Sequence, residues 1–131
     1  MSGKAEQYVA EIKAQRIEFN RAFNEFFSSI DEDKGSAITS FFDFFTEKSA
    51  DIFSRQEEIA EDVHYPYAFD HSLKHKDLAG RAFTLKGRYG ENNDITEDLK
   101  ELIDDFTHHL NHEDTRIVEW IKVRAVMLGE T

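Results

Sequence analysis

The sequence predicts an all-α fold, an up-down-up-down four-helix bundle, and three observations carry that prediction. Apolar residues recur at spacings of three and four through four separate segments, which is the period of one helix face. Polar breaks divide the segments at Asp31-Glu32-Asp33-Lys34-Gly35-Ser36, at His64-Tyr65-Pro66-Tyr67, and at Gly87 with Gly90-Glu91-Asn92-Asn93-Asp94. The 131 residues include one proline and six glycines, too few turn formers for an all-β sandwich. Long amphipathic helices joined by short connections pack as antiparallel neighbours.

The first helix is expected from about residue 5 to 30, with the stripe Tyr8, Ile12, Phe19, Phe23, Phe26 and Ile30. Arg16 interrupts this stripe, four residues after Ile12 and three before Phe19. The second is expected from about residue 36 to 63. Ile38, Phe42, Phe45, Ile52, Ile59 and Val63 form its stripe, Ser49 and Gln56 interrupt it, and Phe41 and Phe44 widen it. The third spans about residues 69 to 88, where His71 and His75 begin a face continued by Leu78, Ala82 and Leu85. The fourth starts at Asp94, which with Glu97 has the spacing of a capping box. Its stripe is Leu99, Leu102, Phe106, His109, Ile117, Trp120 and Ile121.

Length gives one domain over residues 1–131, large enough to bury a core without staples. Sixteen basic against 27 acidic residues give a net charge of −11. Such a chain repels nucleic-acid phosphates and anionic lipid, so neither is an expected partner. With no cysteine, disulfides, Cys-ligated metals and Cys nucleophiles are excluded. No apolar run approaches the roughly 20 residues of a membrane span, and the N-terminus carries no apolar signal segment. The expected location is the cytoplasm.

Polar residues enter the core faces at Arg16, Gln56, His71, His75 and His109. In an antiparallel bundle these positions can share one level, and polar side chains gathered there suggest a cofactor or metal site. His71 and His75, at i and i+4, are neighbours on one helix face and can chelate one ion. That spacing also arises on solvated faces, which is the expectation for His108 and His112; His64 is expected in a loop.

From Tyr65 to Ile121 the chain resembles the second half of a bacteriohemerythrin. The matching residues are Tyr65-Pro66, His71-x-x-x-His75, Leu99, Leu102, Phe106, His109-Leu110 and Asp114. Gln15-Arg16-Ile17-Glu18-Phe19 through Asn24 resembles the opening of the family's first helix. The resemblance implies a diiron bundle in which one iron has three His ligands and the other two. A Glu and an Asp bridge the irons, and dioxygen binds the iron with fewer His ligands. Carried over, His71, His75 and His109 match the three-His iron, and Asp114 matches a bridging carboxylate. The first-helix His falls on Arg16. The second-helix His and Glu fall on Ile52 and Gln56, or with a shift of one on Phe53 and Glu57. The second iron thus lacks both of its His ligands.

The resulting expectation is a hemerythrin-like metal-binding protein, not an enzyme. It has one non-haem ion, iron, on His71, His75, His109 and Asp114, with Gln56 and Arg16 beside it. Arg16 could pair with Asp114 and replace the second ion electrostatically. Family dioxygen binding draws one electron from each iron, so sensing of oxygen, redox state or another small ligand fits one iron better than oxygen carriage. The alternatives are a diiron oxygen-binding protein with substitute ligands from Glu57, Glu61 or His64, and a metal-free interaction module.

Overall fold

The computed structural model describes residues 3–127. These form helices α1 (Lys4–Ser29), α2 (Lys34–Phe44), α3 (Ala50–Asp62), α4 (Ala68–Gly90) and α5 (Thr96–Met127), with a π-helical turn, Phe45–Ser49, joining α2 to α3. The chain is therefore four rods, and no strand occurs among the described residues. α1 packs on α2, α3 and α5, and α4 packs on α3 and α5. No helix among the described residues is long and apolar enough to cross a membrane.

Local chemistry explains the boundaries. Asp33 caps α2 by accepting from the Ser36 amide at 3.1 Å. α3 ends in a Schellman arrangement. His64 takes the left-handed conformation (φ 54°), its amide donates to Glu61 O at 3.1 Å, and the Tyr65 amide donates to Ala60 O at 2.9 Å. This turn, rather than Pro66 alone, stops the helix and packs Tyr65 beside Ala60 in the core. α4 ends the same way on Asn92 (φ 68°), with Asn93 donating to Arg88 O at 3.1 Å. The expected capping box at α5 does not form. Asp94 accepts from the Thr96 amide at 3.1 Å and the Thr96 hydroxyl at 2.7 Å, whereas Glu97 lies 3.6 Å from Lys100. Thr96 supplies two nearer donors, so Asp94 makes an Asx turn instead.

The π turn has a reason in the side-chain pattern. Phe41, Phe45, Ser49 and Phe53 are all buried, at three successive steps of four residues. Each such step drifts about 40° around a regular α-helix. One wider turn absorbs the drift and keeps all four on one face. Ser49 Oγ donates to Phe45 O at 2.6 Å, so its buried hydroxyl has a partner.

Two apolar clusters result. The larger holds Phe19, Phe23, Phe26, Phe41, Phe45, Phe53 and Phe106 with Ile38, Leu78, Leu99 and Leu102. Its rings meet at centroid distances such as 4.8 Å for Phe19–Phe106 and 5.3 Å for Phe23–Phe106. The smaller holds Tyr8, Val9, Ile12, Ile59, Val63, Tyr65, Ile117 and Ile121. On α1, α3 and α5 a polar layer separates the two: Gln15 between Ile12 and Phe19, Gln56 between Phe53 and Ile59, and Asp114 between Leu110 and Ile117.

Phe106 is fully buried and touches four other phenylalanines. Phe106→Ala is expected to cost about 3–5 kcal/mol. Phe83, 80% exposed, should lose no more than about 0.5 kcal/mol on the same change. Urea unfolding of both variants measures the difference; equal losses would contradict this core assignment.

Candidate metal centre

Four side chains converge inside the bundle. α4 presents His71 and His75 one turn apart, and α5 presents His109 and Asp114. Their exposures are 1%, 2%, 4% and 0%. One ligand atom from each can be chosen so that all four atoms lie within 4.8 Å of one another. The imidazole centroids stand 4.4 Å (His71–His75), 5.0 Å (His71–His109) and 5.1 Å (His75–His109) apart. His71 Nε2 and His109 Nε2 lie 3.6 and 3.3 Å from Asp114 Oδ1. Ligand atoms about 2.1 Å from a shared ion at tetrahedral angles stand about 3.4 Å apart, so the spacing suits coordination.

Hydrogen bonding leaves the inward atoms free. His75 Nε2, both ring nitrogens of His109 and Asp114 Oδ1 are buried without a hydrogen-bond partner. Such atoms are uncommon in a core, because each lost bond to water costs about 1–3 kcal/mol, and more for a charged group. His71 Nδ1 is likewise without a partner, and of the outward ring nitrogens only that of His75 is held. His75 Nδ1 lies 3.1 Å from Glu57 Oε2. With Glu57 ionised, that nitrogen carries the proton and Nε2 keeps its lone pair. Phe53 stacks on the His75 ring at 4.1 Å and 6° and fixes its plane. Gln56 Nε2 donates to Gln15 Oε1 at 2.9 Å and to Asp114 Oδ2 at 3.3 Å, while Gln56 Oε1 accepts from His71 Nε2 at 3.1 Å.

Burial also sets the protonation state. Desolvation holds the His71 imidazole down to about 4, against the opposing attraction of Asp114. Desolvation, with His71 and His109 adding to it, holds His75 down to about 2. Both rings are neutral at pH 7, the form that binds a metal. Desolvation raises the carboxyl of Glu57 above its ordinary value.

The four expected ligands come together, and Gln56 joins them. Arg16 does not. It is half-buried, its Nη2 donates to Thr115 Oγ1 at 3.2 Å, and among the described residues it makes no ion pair with Asp114. Its long stem carries the charged head past the stripe position of its Cα, and Gln15 reaches Gln56 instead. Glu57 faces His75 from outside the cluster. Ile52 lies in the larger apolar cluster. Glu61 and His64 are exposed, as are His108 and His112. Sequence reasoning missed the parts played by Gln15, Phe53 and Glu57. The glutamine had no signal, but Glu57 sits next to the stripe residue Gln56.

The two depressed imidazoles make stability depend on pH. Above the ordinary histidine value of about 6.5 both folded and unfolded chains hold them neutral, and their contribution is flat. Below it the unfolded chain binds protons that the folded chain refuses, so stability falls toward pH 4 for His71 and further for His75. Glu11 and Asp62, whose carboxyls are lowered by Arg55 and Tyr8 respectively, lose stability only below about pH 5. The urea midpoint of the chelator-treated protein is therefore expected to drop between pH 6.5 and 5. A midpoint constant or rising over that interval would contradict the neutral buried pair.

Comparison of the chain with protein-family models, with curated proteins and with solved structures finds no match.

Proposed function

We propose that this chain is a hemerythrin-like, up-down-up-down bundle that holds one non-haem ion on His71, His75, His109 and Asp114, and that it senses a small ligand. The observation carrying the reading is the set of inward atoms without hydrogen bonds: His75 Nε2, His109 Nε2 and Asp114 Oδ1. A divalent cation among them would compensate a buried carboxylate that the neutral imidazoles of His71 and His75 cannot. The donor set, three nitrogens and one oxygen, suits a first-row transition ion, and the likeness to bacteriohemerythrins supports iron.

The chain's own residues do most of the work. Glu57 holds the His75 proton on Nδ1 and aims Nε2 inward. Gln56 steadies the Oδ2 side of Asp114, leaving Oδ1 to the ion. Gln56 Oε1 accepts from His71 Nε2 when no ion is bound; for that nitrogen to hold an ion the proton would have to sit on Nδ1, which has no partner in the protein. The apolar clusters on either side exclude water. The ion would supply a Lewis-acid position for a small molecule such as dioxygen.

Removal of one ligand and removal of its support should differ in degree. His75→Ala is expected to abolish the ion that survives dialysis, and Glu57→Gln to weaken its binding about 10–100-fold. His112→Ala should leave it in place. Elemental analysis and competition with a chromophoric chelator read all three. Retention of the full metal content in His75→Ala, or a metal-free wild type, would refute the site.

A further inference from the structure

The helix that supplies His109 and Asp114 carries a second pair of imidazoles on another face. His108 and His112 lie near the middle of the 32-residue α5, where the backbone is held by helix on both sides. Both are exposed. Their ring centroids are 4.2 Å apart at 35°, closer than any two rings of the buried cluster. Among the described residues neither imidazole hydrogen-bonds to the protein or pairs with a carboxylate. Asp104, one turn before His108, and Arg116, one turn after His112, are both exposed on the same face, so their charges offset one another.

From this geometry we infer that His108 and His112 form a separate, solvent-open chelate for a borderline divalent ion, with copper(II) held more tightly than zinc or iron(II). One nitrogen of each ring can reach an ion about 2.1 Å away, and water completes the coordination. Neutral imidazole suits copper, nickel and zinc, and the affinity order of divalent ions places copper first. The helix has already fixed the spacing of the two rings, so the second imidazole binds at high effective concentration. The net charge of −11 favours approach of a cation. Because His109 and Asp114 are buried while His108 and His112 are exposed, the two sites are separate in space. The buried site holds its ion through dialysis, whereas the surface pair exchanges freely.

The test is calorimetric titration of copper(II) into the purified protein and into His108→Ala, His112→Ala and His64→Asn. All are exposed positions, and Asn tolerates the left-handed backbone at 64. Wild type and His64→Asn should bind one exchangeable copper per chain with the same affinity. Each of His108→Ala and His112→Ala should lose about a hundredfold. The dialysis-resistant metal content should be equal in all four proteins. Copper affinity unchanged in both alanine variants would overturn the chelate, and loss of the dialysis-resistant ion in either would overturn the separation of the sites. The inference does not rest on the buried ion: a wild type without one would still be expected to bind surface copper.

Discussion

The buried carboxylate of Asp114 is the constraint around which the interior is arranged. It is fully inaccessible, one of its oxygens has no hydrogen bond, and the nearest nitrogens beyond Gln56 belong to His71 and His109. Desolvation keeps the neighbouring imidazoles of His71 and His75 neutral, so they cannot act as its counter-ions at ordinary pH. A carboxylate in that position costs several kcal/mol unless a positive charge joins it. Neutral rings and a buried carboxylate are complementary demands that one divalent cation would meet together.

The rest of the fold holds that layer in place. The phenylalanine cluster lies on one side of it and the Ile12–Ile59–Ile117 cluster on the other. Phe53 lies flat on His75, and Glu57 bonds its far nitrogen, so two adjacent turns of α3 orient one imidazole. The π turn upstream sets the rotation of α3. Without it, the four-residue steps from Phe41 to Phe53 would drift off the core face, and the register of Gln56 would change with them.

Much of this was legible in the sequence. The apolar stripes of all four rods are buried as their spacing required, apart from the half-buried Trp120, and His71, His75, His109 and Gln56 stand where polar residues broke the apolar faces. Asp114 was reached only through family likeness, although its own signal was present: it lies four residues after Leu110 and three before Ile117, on the core stripe of α5. Arg16 misled because stripe position fixes a Cα and not the end of a long side chain; its head group sits on Thr115. The π turn and the Schellman ends on His64 and Asn92 depend on tertiary packing or on non-glycine residues at positive φ, which periodicity does not register. Gln15 became part of the site only once α1 was set against α3.

The central claim, one ion held by three imidazoles and one carboxylate, is tested most directly by X-ray absorption spectroscopy of the dialysed protein at the metal edge. The account predicts a coordination shell of light atoms, multiple scattering from three imidazole rings, and no second metal in the outer shell at the roughly 3.5–4 Å of paired sites. A metal–metal vector at that distance, or a shell with fewer than three imidazoles, would contradict it.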